Sequence, residues 1–255
     1  MGLTITPLLV GVLEGMPKAA ITYAHGWDEK HDSAMLVFLI EGGDHPVVVD
    51  TGTLDPQWTK EHHGYTLRRT PELEPGTVLS DAGVEVGDVR HVVNTHLHWD
   101  HCSNNALFTE ASFFVQRSEL AYAVDPLPIH RAAFEKKRGI KPPWLEVWDR
   151  IETVDGDAEI LPGISLVSLP GHTPGSQGVL VETDAGRYLL AGDMVDTYEN
   201  WDGTDQVEHI PSGVHTDLFQ YFDSFKKIEG LDCEVIPSHD SAVLERGPFG
   251  AKDRC

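Results

Sequence analysis

Apolar and polar positions follow two rhythms along this chain, and the switches between them mark its elements. Residues 35–40 and 46–49 are near-continuous apolar runs separated by Glu41-Gly42-Gly43-Asp44-His45, the pattern of two buried strands joined as a hairpin. Residues 178–182 and 187–190 repeat that pattern through the turn Thr183-Asp184-Ala185-Gly186. Single strands are expected at 1–10, 89–94, 164–169 and 233–236, and the last three each stop just before a polar loop that carries histidine. Helical spacing is found at 77–82, 118–124 and 129–138, the last stopped by Gly139. The clearest helix is 215–229: Leu218, Phe219, Phe222, Phe225 and Ile228 recur at steps of three and four, and Gly230 supplies the stop.

Strands alternating with helices give an α/β chain. Its 255 residues contain no internal repeat and no Ser/Gly linker, so a single domain over 1–255 is expected. With 40% hydrophobic and 24% charged residues, no segment has the composition of disorder. The stretch 121–150 reads as a helical insert punctuated by Pro126, Pro128, Pro142, Pro143, Trp144 and Trp148. It fits a lid or pocket wall, with Trp144 as a substrate contact, and equally fits helical packing or a homodimer contact.

Charge and cysteines narrow the partners. A net charge of −22 excludes a nucleic-acid backbone as an expected partner, since phosphate binding needs clustered Lys and Arg, and leaves a small neutral or cationic molecule easier to admit. No run of 18 apolar residues exists, so no membrane span is expected. The start lacks a basic region and a cleavage site, and Cys102, Cys233 and Cys255 are odd in number and widely spaced; both fit a reducing cytoplasm.

The chemistry concentrates in Thr95-His96-Leu97-His98-Trp99-Asp100-His101. Imidazole and carboxylate donors suit borderline divalent metals, and His96 and His98 at i, i+2 point the same way from an extended segment. Asp100 and His101 follow at once. Trp99 reads as packing at the base of the site and Cys102 as a small buried thiol at a helix start. Further donors close later strands: His172 in Gly171-His172-Thr173-Pro174-Gly175, Asp193 after Gly192, and His239 after Ser238. Gly-x-Ser-x-Gly, P-loop and dinucleotide motifs are absent from the sequence.

In order and spacing these motifs, together with Val49-Asp50-Thr51-Gly52, resemble the metallo-β-lactamase superfamily over residues 40–239. That resemblance implies a four-layer αβ/βα sandwich of two mixed sheets flanked by helices, with the site at one edge. It implies one metal on His96, His98 and His172, a second on Asp100, His101 and His239, Asp193 as bridge, and Asp50 orienting a ligand from behind. Two divalent ions, zinc above all, with iron, manganese or cobalt also accepted by such donors, would hold a water as hydroxide for attack on a carbonyl, with Asp100 accepting or shuttling the proton.

Asp at 193 resembles lactonases, glyoxalase II thioesterases and ribonuclease Z rather than true β-lactamases, and the string through Asn104-Asn105 looks most like the N-acyl homoserine lactonases. The expected activity is opening of a lactone or related small cyclic ester or amide. A glyoxalase II-like thioesterase would usually carry a basic helical C-terminal segment, and only about 16 residues follow His239; a mononuclear iron redox enzyme is the other alternative. One position departs from the lactonases: Asp196 stands where they often have tyrosine. Asp196 there fits a polar or cationic group of the substrate, and Tyr198, two residues on, is the candidate to replace the missing phenol in catalysis.

Overall fold

The computed structural model describes residues 2–251; Met1, the head of the first expected strand, and Cys255 lie outside the described residues. The chain opens with β1 (Thr4–Pro17) and β2 (Lys30–Glu41), paired antiparallel with irregularities at Leu9/Gly11 and Leu13/Met16. The first strand is thus longer than its apolar run suggested. There follow β3 (Val47–Val49), α1 (Pro56–His63), β4 (Thr66–Arg68), α2 (Pro75–Asp81), β5 (His91–Val93), α3 (Trp99–Cys102), β6 (Ser112–Gln116), α4 (Arg117–Val124) and β7 (Ile151–Val154). These strands form a seven-stranded sheet in the order β4-β1-β2-β3-β5-β6-β7, antiparallel on the β1 side and parallel from β3 to β7.

The remainder builds a second sheet. It contains β8 (Ala158–Leu161), β9 (Ile164–Ser168), β10 (Gln177–Thr183), β11 (Gly186–Leu190), then α5 (Tyr198–Asp202), α6 (Leu218–Glu229), β12 (Glu234–Ile236) and α7 (Ala242–Arg246). Its five strands run β12-β11-β10-β9-β8, with only the β11–β12 pair parallel. Both predicted hairpins are present, as β2–β3 and β10–β11.

The layering follows from which faces are apolar. Leu36, Phe38 and Ile40 of β2 point inward with Val47 and Val49 against Ile164, Leu166, Val179, Val181 and Leu190 of the second sheet, while Met35, Val37 and Leu39 point outward under α2. Both faces of β2 are therefore covered, which explains an apolar run with no polar alternation. On the far side α6 covers Val167, Leu180 and Leu189 with Tyr221, Phe225 and Ile228. The result is the expected four-layer αβ/βα sandwich. Truncating Phe225 to Ala would cost about 3–5 kcal/mol, the range for a fully buried aromatic.

Two helical readings shift. Helix α6 starts at Leu218 because the Asp217 side chain accepts from the backbone N–H groups of Phe219 and Gln220, a cap that fixes the start. Its buried face is Tyr221, Ser224, Phe225 and Ile228; Phe219 is 88% exposed, so the spacing chose a stripe partly out of phase. The helix expected over 129–138 is instead a run of turns. The Ala133 carbonyl is taken by the Trp99 N–H, and Glu135 sits at φ +51°. Either feature interrupts an α-helical ladder. Among the described residues no helix is long and apolar enough to cross a membrane.

Candidate metal centre

Five loops that follow strand ends converge at one edge of the sandwich. Asp50 follows β3, residues 94–98 follow β5, His172 follows β9, Asp193 follows β11 and His239 follows β12. Ligands in open α/β sheets bind at just such carboxyl ends of strands. The loop after β5 bends at Thr95 and His96, where an extended run was expected, and still brings the His96 and His98 rings to 4.5 Å; His98 immediately precedes α3, whose first turn swings Asp100 and His101 toward the same space. The tight approach of His172 needs Gly171, at φ +149°, where an added Cβ would lie 2.5 Å from the Tyr221 Cα.

Two groups of donors result: His96, His98, His172 and Asp193, and Asp100, His101 and His239, with the donor atoms of each group all within 4.8 Å of one another. Asp193 stands between them. Its Oδ2 lies 3.8 Å from His96 Nε2 and 3.5 Å from His172 Nε2, while its Oδ1 lies 3.1 Å from both His101 Nε2 and His239 Nε2. The Ser238 hydroxyl donates to Oδ1.

The remaining ring nitrogens are used from behind. His172 Nδ1 contacts the Val214 carbonyl at 2.7 Å and His239 Nδ1 the Ala34 carbonyl at 3.0 Å, which turns each Nε2 inward. Asp50 accepts from the Thr95 N–H and hydroxyl and pairs with His101 Nδ1 at 2.8 Å. It does so at φ +58°, a conformation unusual for a non-glycine residue. His96 Nε2 is buried and finds no hydrogen-bond partner among the described residues, and the buried His101 Nε2 meets the Asp193 carboxylate at 3.1 Å. Imidazole nitrogens turned inward around a shared carboxylate, one of them buried without a partner, are what a pair of divalent ions requires, so the residues present fit two such ions.

Electrostatics differ across the site. Burial, with neighbouring imidazoles, holds His96 and His98 well below the usual histidine range and also lowers His172. Burial opposes charging His239 as well, but Asp193 outweighs it and pushes this histidine up to about 9. His101 is raised in the same way by Asp193 and Asp50. Against its own burial, Asp193 is held well below the carboxylate range by His101, His239 and His96.

A cavity of about 290 Å³ opens above these donors. Trp99, stacked on His63 at 3.9 Å, forms part of its floor. Leu13, Met16 and Ile21 form one wall, and the insert supplies Ile129, His130 and Ala133. Asp196 lines it too: buried, with neither carboxylate oxygen partnered among the described residues, and raised well above its usual range by burial and by Asp193.

Two candidates fall elsewhere. Trp144 packs with Leu97, Cys102, Val115 and Phe134, and borders a separate cavity of about 560 Å³ beside Lys136 and Lys137. Tyr198 begins α5, packs against the inter-sheet core and lies beneath the Arg246 guanidinium at 3.8 Å; it is not among the cavity-lining residues. Cys102 is buried as expected, its thiol 3.6 Å from the Leu97 carbonyl.

Sequence reasoning passed over Glu119 and Gln177. Fully buried Glu119 accepts from the Leu97 N–H, the Thr173 hydroxyl and the Gly175 N–H, and burial pushes its carboxyl up to about 7. Gln177 donates to the Asn94 and Phe114 carbonyls and receives Gln116, joining the two sheets beneath the donors. A lone Glu in the first turn of a helix ordinarily reads as a solvated residue favoured by the helix dipole, so nothing local singled it out.

Comparison with known proteins supplies the family. A family model described as the metallo-beta-lactamase superfamily matches residues 35–239. An N-acyl homoserine lactonase of Bacillus thuringiensis is 32% identical over 174 residues, covering 65% of this chain and 65% of that protein. The match thus spans somewhat under two thirds of the length of such curated relatives. Among solved structures, an N-acyl homoserine lactone hydrolase with its product N-hexanoyl-L-homoserine bound at the catalytic metal centre superposes with a TM-score of 0.78 at 22% identity, over 98% of both chains. A dizinc quorum-quenching lactonase in complex with a product aligns at 0.70 and 18%, over 94% of this chain and 88% of that one. At these identities the two structures establish the shared fold.

Proposed function

This chain belongs to the metallo-β-lactamase superfamily, and from that premise we propose that it is a dinuclear metal-dependent hydrolase that opens a lactone or related small cyclic ester or amide. The observation that carries the reading is the division of Asp193: one carboxylate oxygen serves each donor group, the arrangement a bridging ligand needs. His96, His98 and His172 hold one ion, and Asp100, His101 and His239 hold the other. Zinc suits this mixture of imidazole and carboxylate, and two such ions, when bound, polarise a carbonyl and acidify a water to near neutrality.

The chain's own residues do the rest. Asp100 is the donor most open to the cavity, its side chain 16% exposed. It is placed to take the proton from the attacking water and return it to the ring oxygen as the ester C–O bond breaks. Trp99, Leu13, Met16 and Ile21 shield the scissile carbonyl from bulk water. Asp196 replaces the phenol expected from the lactonase pattern and offers a buried, unpartnered carboxyl to a hydrogen-bonding substituent of the substrate. Tyr198 stands too far into the inter-sheet core to share that role. The relatives' acyl homoserine lactones, and hence quorum quenching, are the first substrate class to examine, with the protein working in the cytoplasm in keeping with free Cys102 and Cys233.

A panel of lactones, cyclic amides and thioesters offered to the zinc-loaded protein tests this reading together with metal analysis. Two ions per chain and lactone hydrolysis lost in His101→Ala are expected. One iron per chain, or full hydrolytic rate in His101→Ala, would refute it. Within the panel, Asp196→Ala should narrow the preference for lactones bearing an amide or hydroxyl next to the ring carbonyl; an unchanged preference would remove Asp196 from recognition.

A further inference from the structure

The donors of the first group come from two loops distant in sequence, and one side chain ties those loops together. Glu119 projects from the first turn of α4 into the space between them. Its Oε1 accepts from the N–H of Leu97, the residue between His96 and His98, at 2.9 Å. Its Oε2 accepts from the Thr173 hydroxyl at 2.5 Å and the Gly175 N–H at 3.2 Å, on either side of the Pro174 that follows His172. These contacts span 22, 54 and 56 residues of chain. The packing leaves no slack: a Cβ on Gly175 would lie 2.1 Å from the Glu119 backbone nitrogen, so the last glycine of the Gly-His-Thr-Pro-Gly string is needed where it meets Glu119. Across the clamp, His98 Nδ1 and His172 Nε2 stand 3.1 Å apart.

We infer that Glu119 is a positioning residue for the first metal ion, setting the separation of the His96/His98 loop from the His172 loop and thereby the affinity of that ion alone. The inference rests on reading the site as a two-metal centre. The second group has a different anchor: Asp50 pairs with His101 and, through Thr95, also reaches the His96 ring, whereas Glu119 makes no hydrogen bond to Asp100, His101 or His239. A glutamine at 119 keeps the size but presents an amide donor where the carboxylate accepts from Leu97, Thr173 and Gly175, so at least one contact becomes donor against donor.

Zinc titrated into metal-free protein in competition with a chelating dye resolves the two affinities. Glu119→Gln should weaken one ion by about 10–100-fold, the usual cost of losing an outer partner of a ligand, and leave the other at its wild-type value. Thr173→Val, which removes one of the three contacts, should weaken the same ion by less. Val167→Ala, a core truncation beneath α6, serves as control: it should lower the thermal midpoint with both affinities intact. Should Glu119→Gln fail to fold, Thr173→Val still decides the matter. Unchanged affinities in both variants, or two affinities falling together with the thermal midpoint, would overturn the inference. A wild-type protein that takes up no zinc would overturn the two-metal reading and this inference with it, whereas two ions in the wild type and an indifferent Glu119→Gln would sink the inference alone.

Discussion

The two donor groups are built from the same side chains yet are prepared in opposite ways. His96, His98 and His172 are lowered by burial and by neighbouring imidazoles, and share a single carboxylate. His101 and His239 are equally buried but stand against Asp193, with Asp100 near both and Asp50 beside His101, and those carboxylates raise both rings instead of lowering them. The number of carboxylates within reach, rather than burial, decides whether an imidazole is ready to ligate. An ion entering the first group meets lowered imidazoles, whereas one entering the second competes for His239 with a proton.

The sharpest way to break this asymmetry is Asp193→Ala. With the shared carboxylate gone, His101 and His239 lose the partner that charges them, and kcat/KM on any lactone turned over should fall by at least the order of 10²–10³ associated with one lost electrostatic contact. Asp50→Asn acts directly on the second side, through His101, and only by way of Thr95 on the first. It should weaken the second ion about 10–100-fold and the first by less, measured by the same dye competition.

A smaller effect is read calorimetrically. At pH 7 His239, raised to about 9, carries a proton that the second zinc must displace, so binding heats in two buffers of different ionisation enthalpy should reveal proton release that fades as pH rises through about 9. The sign agrees with stability. A histidine raised from 6.5 supports the metal-free fold fully below 6.5, and that support is lost as pH climbs through about 9. Smallest of all is Tyr198→Phe, expected to change kcat by less than about twofold because the hydroxyl, buried against the inter-sheet core, does not line the cavity. A large fall would return Tyr198 to catalysis.

The donors were legible because each lies in a short string whose neighbours fix its direction: alternate residues before α3, and Gly and Pro around His172. The sheets were legible where strands are buried on both faces, as in β2. What escaped depends on distance in sequence. Trp144 and Tyr198 sit within a few residues of plausible positions, but their directions are set by Phe134 and by Arg246, which no local pattern announces. The helix expected over 129–138 has the right spacing and loses its Ala133 carbonyl to Trp99, some thirty residues earlier. Glu119 is invisible for the same reason, since its partners lie on two other loops. Phe219 and Phe222 show the converse, apolar residues at helical steps that turn away from the core because Tyr221 and Ser224 face it.

The hydrogen bond from His239 Nδ1 to the Ala34 carbonyl joins positions 205 residues apart. A ribosome delivers this chain from its amino end, so all donors of the first group exist once Asp193 has been made, whereas the second group waits for His239. Early and late translation thus meet in one imidazole, and the order of synthesis is also the order in which the two halves of the centre can be completed.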